Sequence, residues 1–288
     1  MRWWMVSLNV LNQKNKQQIL TATTEAWLRR LGRHPVWGRL AVGEQLAVER
    51  LTLPIRGLHP ALEGFRIVQL SDFHLYPYTQ IGFLRQVIAE ATALQPDLIV
   101  LTGDYVTLDA EAIHELAPAL AGLNARHGVY AVLGNHDLWT NRHMIEAGFA
   151  QERLPLLVNE RVPISVGAGR LHLAGLDDGW SGQADLRTAL EGAPLDEPVL
   201  LLVHEPDLFD QYVQDPRVVI QLSGHSHGGQ VRITSGKPRI LPYLGRKYEQ
   251  GLYQVNGAWL YTNRGLGYTS VPVRINCSPE ITEITLTR

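Results

Sequence analysis

Five short strings gather five of the eleven histidines of this 288-residue chain together with four carboxylates, residue types that can bind a metal and move protons. They are Ser71-Asp72-Phe73-His74, Thr102-Gly103-Asp104, Gly134-Asn135-His136-Asp137, Val203-His204-Glu205 and Ser223-Gly224-His225-Ser226-His227. Asp72 with His74, and His225 with His227, are spaced i, i+2. In extended backbone that spacing sends both side chains to one face, so each pair can address one cation cluster. A carboxylate has two oxygens and about four lone-pair sites, so Asp104 can bridge two cations. Asn135 offers a neutral carbonyl oxygen and His204 a further imidazole. Seven donors with one shared make four per cation, which leaves positions for water and a phosphate oxygen. With two dications, the charges of Asp72 and Asp104 and a bridging hydroxide leave a net positive centre suited to a phosphate. Paired cations about 3.5–4 Å apart acidify water and clamp the oxygens of an in-line displacement, so hydrolysis of a phosphate ester is the expected chemistry. His136 is expected to protonate the leaving oxygen, with Asp137 or another carboxylate orienting its ring. Cys277 is the only cysteine, which excludes an internal disulfide and a thiolate zinc cage.

The elements that must position these residues are short β-rich runs alternating with amphipathic stretches, the pattern of βα units and a layered sheet. Strands are expected at 65–71, 97–102, 129–133, 156–158, 163–166, 171–176, 199–203, 218–222, 230–234, 252–255, 258–262 and 281–286. Helices are expected at 81–94, 110–125, 141–149, 184–190 and 208–213. Each metal-type string falls just after a strand, where ligands bind in open α/β sheets. The Asn263-Arg264 turn before Gly265 and Gly267, and the Tyr76-Pro77-Tyr78 loop, are open to either a substrate contact or ordinary turn chemistry.

The ordered set DFH, GD, GNHD, H and GHSH resembles the calcineurin-like metallophosphoesterase superfamily, whose pattern is D-x-H, G-D, G-N-H-D/E, H, G-H-x-H. The later strings GHSHGGQ and NRGLGYTSVPVRINCSPE are similar to the bacterial branch of YkuE-type and YaeI-type phosphodiesterases. That branch is in turn similar to a bacterial pyrophosphatase acting on UDP-2,3-diacylglucosamine. The resemblance implies an α/β fold, a four-layer αββα sandwich with two mixed β-sheets. It implies one metal on Asp72, His74, Asp104 and His227, and another on Asp104, Asn135, His204 and His225, with Mn first and Fe or Zn able to serve. The expected function is cleavage of a phosphodiester or pyrophosphate, with a lipid-linked substrate as its finer form. Alternatives are a soluble phosphomonoesterase or cyclic-nucleotide phosphodiesterase, and a non-catalytic interaction module on the same fold.

Residues 1–50 differ from the rest. They carry eight basic against three acidic residues and four of the seven tryptophans, so the remainder of the chain carries −7 of the net −2. Two domains follow: 1–50, a basic, Trp-rich amphipathic segment, and 51–288, the catalytic domain. The segment is expected either to pack on the domain or to lie on anionic lipid, with Trp27, Leu28 and Leu31 opposite Arg29, Arg30 and Arg33. A cytoplasmic protein, peripheral on the inner membrane surface, is the expectation. No run reaches the ~20 apolar residues of a membrane span, and the start breaks into polar residues too early for a secretory core. The acidic balance of the catalytic domain argues against a nucleic-acid partner.

Overall fold

A computed structural model describes residues 45–232, 238 and 240–288. Two mixed sheets stack face to face. The first has the order β1 (Ala47–Pro54), β11 (Glu280–Thr287), β2 (Arg66–Leu70), β3 (Leu98–Leu101) and β4 (Val129–Ala131). The second runs β5 (Glu160–Val166), β6 (Gly169–Gly175), β7 (Val199–Leu202), β8 (Val218–Ser223), β10 (Ala258–Thr262) and β9 (Gly251–Val255). The inner strands β2, β3 and β4, and likewise β6, β7, β8 and β10, are parallel to their neighbours, while β11 with β2, β5 with β6 and β9 with β10 are antiparallel.

Three apolar layers hold this stack. Between the sheets lie Ile67, Leu98, Val100, Leu200, Leu202, Ile220 and their neighbours. Outside the first sheet, Val68, Ile99 and Leu101 pack on α1 (Ile81–Ala93), α2 (Ile113–Leu120) and α3 (Asn135–Gln151). Outside the second, Val199 and Leu201 pack near α4 (Leu186–Ala189) and α5 (Phe209–Tyr212). This is the expected four-layer αββα sandwich. Because both faces of the inner strands are covered, they read as unbroken apolar runs such as LIVL and VLLL rather than as alternation. Each such Leu, Ile or Val side chain contributes about 1.5–3 kcal/mol on burial.

Several boundaries differ from those the sequence predicts. β1 pairs in parallel with β11 along its whole length, so residues 47–50 belong to the catalytic sheet and not to an N-terminal segment. Residues 1–44, which carry the rest of the amphipathic-segment expectation, lie outside the described residues. Residues 156–158 make only an isolated bridge, Leu156 to Ala131. Of 230–234, Val231 bridges Ile275, and the residues after Arg232 lie outside the described set. The helix expected at 141–149 begins at Asn135, with a break at Asn141, whose φ of −162° is not helical. Among the described residues no helix is long and apolar enough to cross a membrane.

Candidate metal centre

The strings converge because β2, β3, β4, β7 and β8 all end on one side of the sandwich. The local cause of the convergence differs from the extended-strand geometry expected above. Asp72, His74, Asp104, His225 and His227 all have left-handed backbone, with φ between 44° and 73°. Such conformations cost non-glycine residues of order 1–3 kcal/mol each and persist only where the surroundings enforce them. Between each left-handed pair, the middle residue points away: Phe73 stacks on Tyr105 in the helix-side core, and Ser226 Oγ donates to the Glu249 carbonyl. The chain therefore coils tightly and turns both outer side chains inward.

Close approach of the loops requires the glycines. A Cβ on Gly134 would overlap Asp104 Oδ1, and one on Gly103, itself at φ +94°, would lie 2.7 Å from His204 Nδ1.

Asp72, His74, Asp104 and His227, all buried, bring one donor atom each within 4.8 Å of one another. His74 Nε2 is 3.0 Å from His227 Nε2 and 3.3 Å from Asp104 Oδ2, and His227 Nε2 is 3.2 Å from Asp72 Oδ1. Bonds of about 2.1 Å at angles of 90–110° separate two ligands of one ion by about 3.0–3.4 Å. These separations fit that requirement. Asp104 Oδ2 is also 3.2 Å from His204 Nε2, so a single oxygen lies close to two imidazoles.

Of the remaining donors, the His204 and His225 rings lie 4.9 Å apart. Asn135 Oδ1, His204 Nε2 and His225 Nδ1 are buried and have no hydrogen-bond partner among the described residues. Orphaned buried polar atoms are expensive, and the donor chemistry of these three fits a cation that would satisfy them. Their opposite ring nitrogens are committed. His204 Nδ1 donates to the Thr102 carbonyl at 2.6 Å, and His225 Nε2 donates to the Tyr243 carbonyl at 2.7 Å. A carbonyl only accepts, so the facing nitrogen carries the proton and the orphaned nitrogen keeps its lone pair.

The electrostatics favour positive charge at this place. Burial raises the Asp104 carboxyl, but His204 and His136 outweigh it and hold it well below the usual carboxylate range. Burial likewise raises Asp72, and His227 outweighs it. Burial lowers His74 to about 4, which leaves its imidazole neutral and able to donate a lone pair. At His204, burial is outweighed by Asp104, so the position attracts a cation, whether proton or metal.

His136 is half-buried beside the first group, its ring 4.7 Å from that of His74. Its Nδ1 donates to the Thr107 carbonyl at 3.0 Å. Asp137 does not orient it, contrary to the sequence expectation. The Asp137 carboxylate is fully buried and accepts from the backbone N–H of Asp104, Tyr105 and Gly134 at 2.8–3.0 Å. It lies one position further along a helix start and so points back under the Asp104 turn. Asp137 ties the GNHD turn to the GD turn, and burial with the charge of Asp104 pushes it up to about 7.

A family model described as calcineurin-like phosphoesterase matches residues 65–229, more than half of the chain and all five donor strings. The chain belongs to that family. An uncharacterised metallophosphoesterase of Bacillus subtilis (strain 168), YkuE, is 38% identical over 233 residues, covering 78% of this chain and 79% of that protein. The phosphodiesterase YaeI of Escherichia coli (strain K12) is 30% identical over 226 residues, covering 77% and 82%. A cattle transmembrane protein with a metallophosphoesterase domain is 32% identical over 269 residues. Those cover 87% of this chain but only 59% of the longer relative. The chain is a metal-dependent phosphoester hydrolase that uses divalent metal ions, of the branch that includes YkuE and YaeI.

Around this calcineurin-like centre stand residues that the sequence strings do not reveal. Glu205 and Asp178 are both buried, and both accept from the Trp180 N–H. Burial and the neighbouring Glu205 push Asp178 up to about 10, so the two carboxyls share a proton. Asp177 accepts from Arg142 of α3 at 3.0 Å and from the backbone of Asp178 and Gln183, which fixes the 177–183 loop against that helix. Trp180 is thereby held 4.8 Å from Trp139 and 5.8 Å from both His225 and Tyr243. Behind His227, the buried Arg274 donates to the carbonyls of Arg264, Gly267 and Cys277. The Asn263-Arg264 turn is ordinary turn chemistry, since Asn263 bonds Thr282 and Gly265, and Arg264 pairs with Glu49 and Glu280. Tyr76 is packed too, its hydroxyl donating to Glu115.

Proposed function

We propose that the chain hydrolyses a phosphodiester or pyrophosphate bond with two divalent cations, Mn first among them with Fe or Zn able to serve, and that its substrate is lipid-linked. Asp72, His74, Asp104 and His227 would hold one cation, and Asp104, Asn135, His204 and His225 the other. When bound, the pair supplies Lewis acidity to the phosphate oxygens and an acidified water as nucleophile.

The observation that carries this reading is Asp104 Oδ2 set between His74 Nε2 at 3.3 Å and His204 Nε2 at 3.2 Å, with the orphaned atoms of Asn135, His204 and His225 beyond it. A one-metal site needs neither the shared oxygen nor the second set of bare donors. His136 serves as the acid. Its Nδ1–H is held by the Thr107 carbonyl, so Nε2 is the nitrogen left free, and in the doubly protonated ring it would give its proton to the leaving oxygen and return to the neutral form. Asp137 is a positioning residue that fixes the backbone of Asp104 through three N–H bonds. Trp139, Trp180 and Tyr243 give the side next to His225 an aromatic wall, which supports a substrate with an apolar portion.

The test uses metal-free full-length chain with Mn, Zn or Mg added back, bis-p-nitrophenyl phosphate and p-nitrophenyl phosphate as substrates, and Asp104→Asn as control. Metal-restored, Asp104-dependent cleavage that favours the diester is expected. Cleavage confined to the monoester, or retained in Asp104→Asn, would overturn the reading.

A further inference from the structure

The string from Asn263 to Glu280 lies beside the metal centre, and turn chemistry explains only its start. Its first half reaches the Asp72 side. Leu266 N–H donates to the Ser71 carbonyl at 3.0 Å and Gly267 N–H to the Asp72 carbonyl at 2.7 Å, so the 265–267 turn caps the left-handed coil that carries Asp72 and His74. Its second half reaches the His227 side. Ile275 exchanges backbone hydrogen bonds with Gln230 and Arg232, and Cys277 Sγ donates to the His227 carbonyl at 3.1 Å.

Arg274 joins the two halves. Its side chain is buried, and Nη2 lies 3.5 Å from His227 Nδ1. That approach is a packing contact, because a His227 that offers its Nε2 lone pair carries its proton on Nδ1. Arg274 Nε and Nη2 donate to the Gly267 carbonyl at 3.2 and 2.6 Å, and Nη1 donates to the carbonyls of Arg264 and Cys277 at 3.0 and 3.2 Å. These acceptors are all main-chain carbonyls. Taking a charge out of water is expensive, and neutral carbonyls offset less of that cost than a carboxylate would. What the guanidinium gains is geometry, since a rigid planar fork holds three separate carbonyls at fixed spacing and a lysine ammonium does not. Arg264 in the same string is partnered differently. It pairs with Glu49 of β1 and Glu280 of β11, which fastens the string to the first sheet.

We propose that Arg274 is a positioning residue for the cation held by Asp72, His74, Asp104 and His227, fixing the turn that carries His227 against the coil that carries Asp72 and His74. The proposal rests on the two-cation reading above and adds the side chain that brings two of its donor strings into register. His227 turns Nε2 towards Asp72 and His74 and Nδ1 towards Arg274, so Arg274 acts from behind the donor.

Binding of Mn to metal-free full-length chain is followed by the electron paramagnetic resonance signal of free Mn, which needs no catalysis. The wild type is compared with Arg274→Lys, Arg274→Met and Arg264→Lys, and thermal melts show which are folded at the temperature used. Both Arg274 variants are expected to weaken the tightest Mn equivalent by at least about tenfold, the scale of losing a group that orients a metal ligand. The Mn concentration that half-restores hydrolysis of bis-p-nitrophenyl phosphate is expected to rise with it. Arg264→Lys is expected to leave Mn affinity unchanged, even where its melting temperature falls. Either Arg274 variant suffices if the other does not fold. Wild-type Mn affinity in an Arg274 variant would overturn the proposal. Equal weakening in Arg264→Lys would overturn it too, by tracing the effect to a general loosening of the string. Where the wild type binds Mn but leaves the diester intact, the catalytic reading fails and the Mn isotherms still decide the role of Arg274.

Discussion

Around Asp72, His74 and His227 the donor atoms crowd one another at 3.0–3.2 Å, whereas Asn135 Oδ1, His204 Nε2 and His225 Nδ1 have no hydrogen-bond partner among the described residues, and the two imidazoles are held from behind by main-chain carbonyls. The charges differ as well. The first group has Asp72 to itself and shares Asp104; the second has only neutral donors besides Asp104. Coulomb attraction in a buried site grows steeply with each added anion, so the first group should bind its cation more tightly and the second should depend on Asp104. On the proposed two-cation reading, loading would be ordered, with Asp104 common to both groups.

The comparison is broken most severely at the shared residue. Asp104→Asn should reduce diester hydrolysis by about 10⁴-fold, about 5 kcal/mol, and lower the metal bound at both sites, as measured by metal content beside steady-state rates. His225→Ala sharpens it, because it removes a donor from the second group alone. One tightly bound equivalent should remain, while affinity for the second falls by more than the about 10–100-fold that losing a ligand's hydrogen-bond partner costs. Retention of two equal equivalents would show that the groups are not separate.

His136→Asn should leave both equivalents in place and lower kcat by about 10²-fold, since the residue belongs to neither group. The loss should be smaller for a p-nitrophenyl leaving group, which needs little protonation, than for an alkyl one, and an equal loss would remove His136 from the acid role.

The smallest effect concerns Asp178, beside the second group. Its folded pKa of about 10 exceeds the ordinary value of about 3.9, so between these limits the native state holds the extra proton. Stability then falls as pH rises through that window. Asp178→Asn keeps the hydrogen bonding without the proton, so its Tm should decline less than that of the wild type between about pH 6 and 9. A parallel decline in the two proteins would contradict the shared proton.

The donor strings were legible because metal chemistry restricts residue types severely, and short gaps after β-runs such as LIVL mark where a sheet delivers them. The left-handed backbone at Asp72, His74, Asp104, His225 and His227 was not legible, because local propensity disfavours it and only the tertiary surroundings enforce it. Asp137 was misread for a related reason. Its place beside His136 in sequence suggested a partner, but at a helix start the two side chains diverge. β1 was missed because Ala47–Pro54 alternates only weakly and gains its place from pairing with β11, more than two hundred residues away. Trp139, Trp180, Asp178 and Glu205 meet only through long-range packing, and in sequence the sole hint was the Asp-Asp-Gly-Trp string at 177–180.

The most direct test is a stepwise titration of metal-free chain with Mn, in which equivalents bound and hydrolysis of bis-p-nitrophenyl phosphate are followed together. The proposed two-cation reading predicts a tight first equivalent with little hydrolysis and a weaker second that brings the activity. Full activity at one equivalent, or two equivalents of equal affinity, would contradict it.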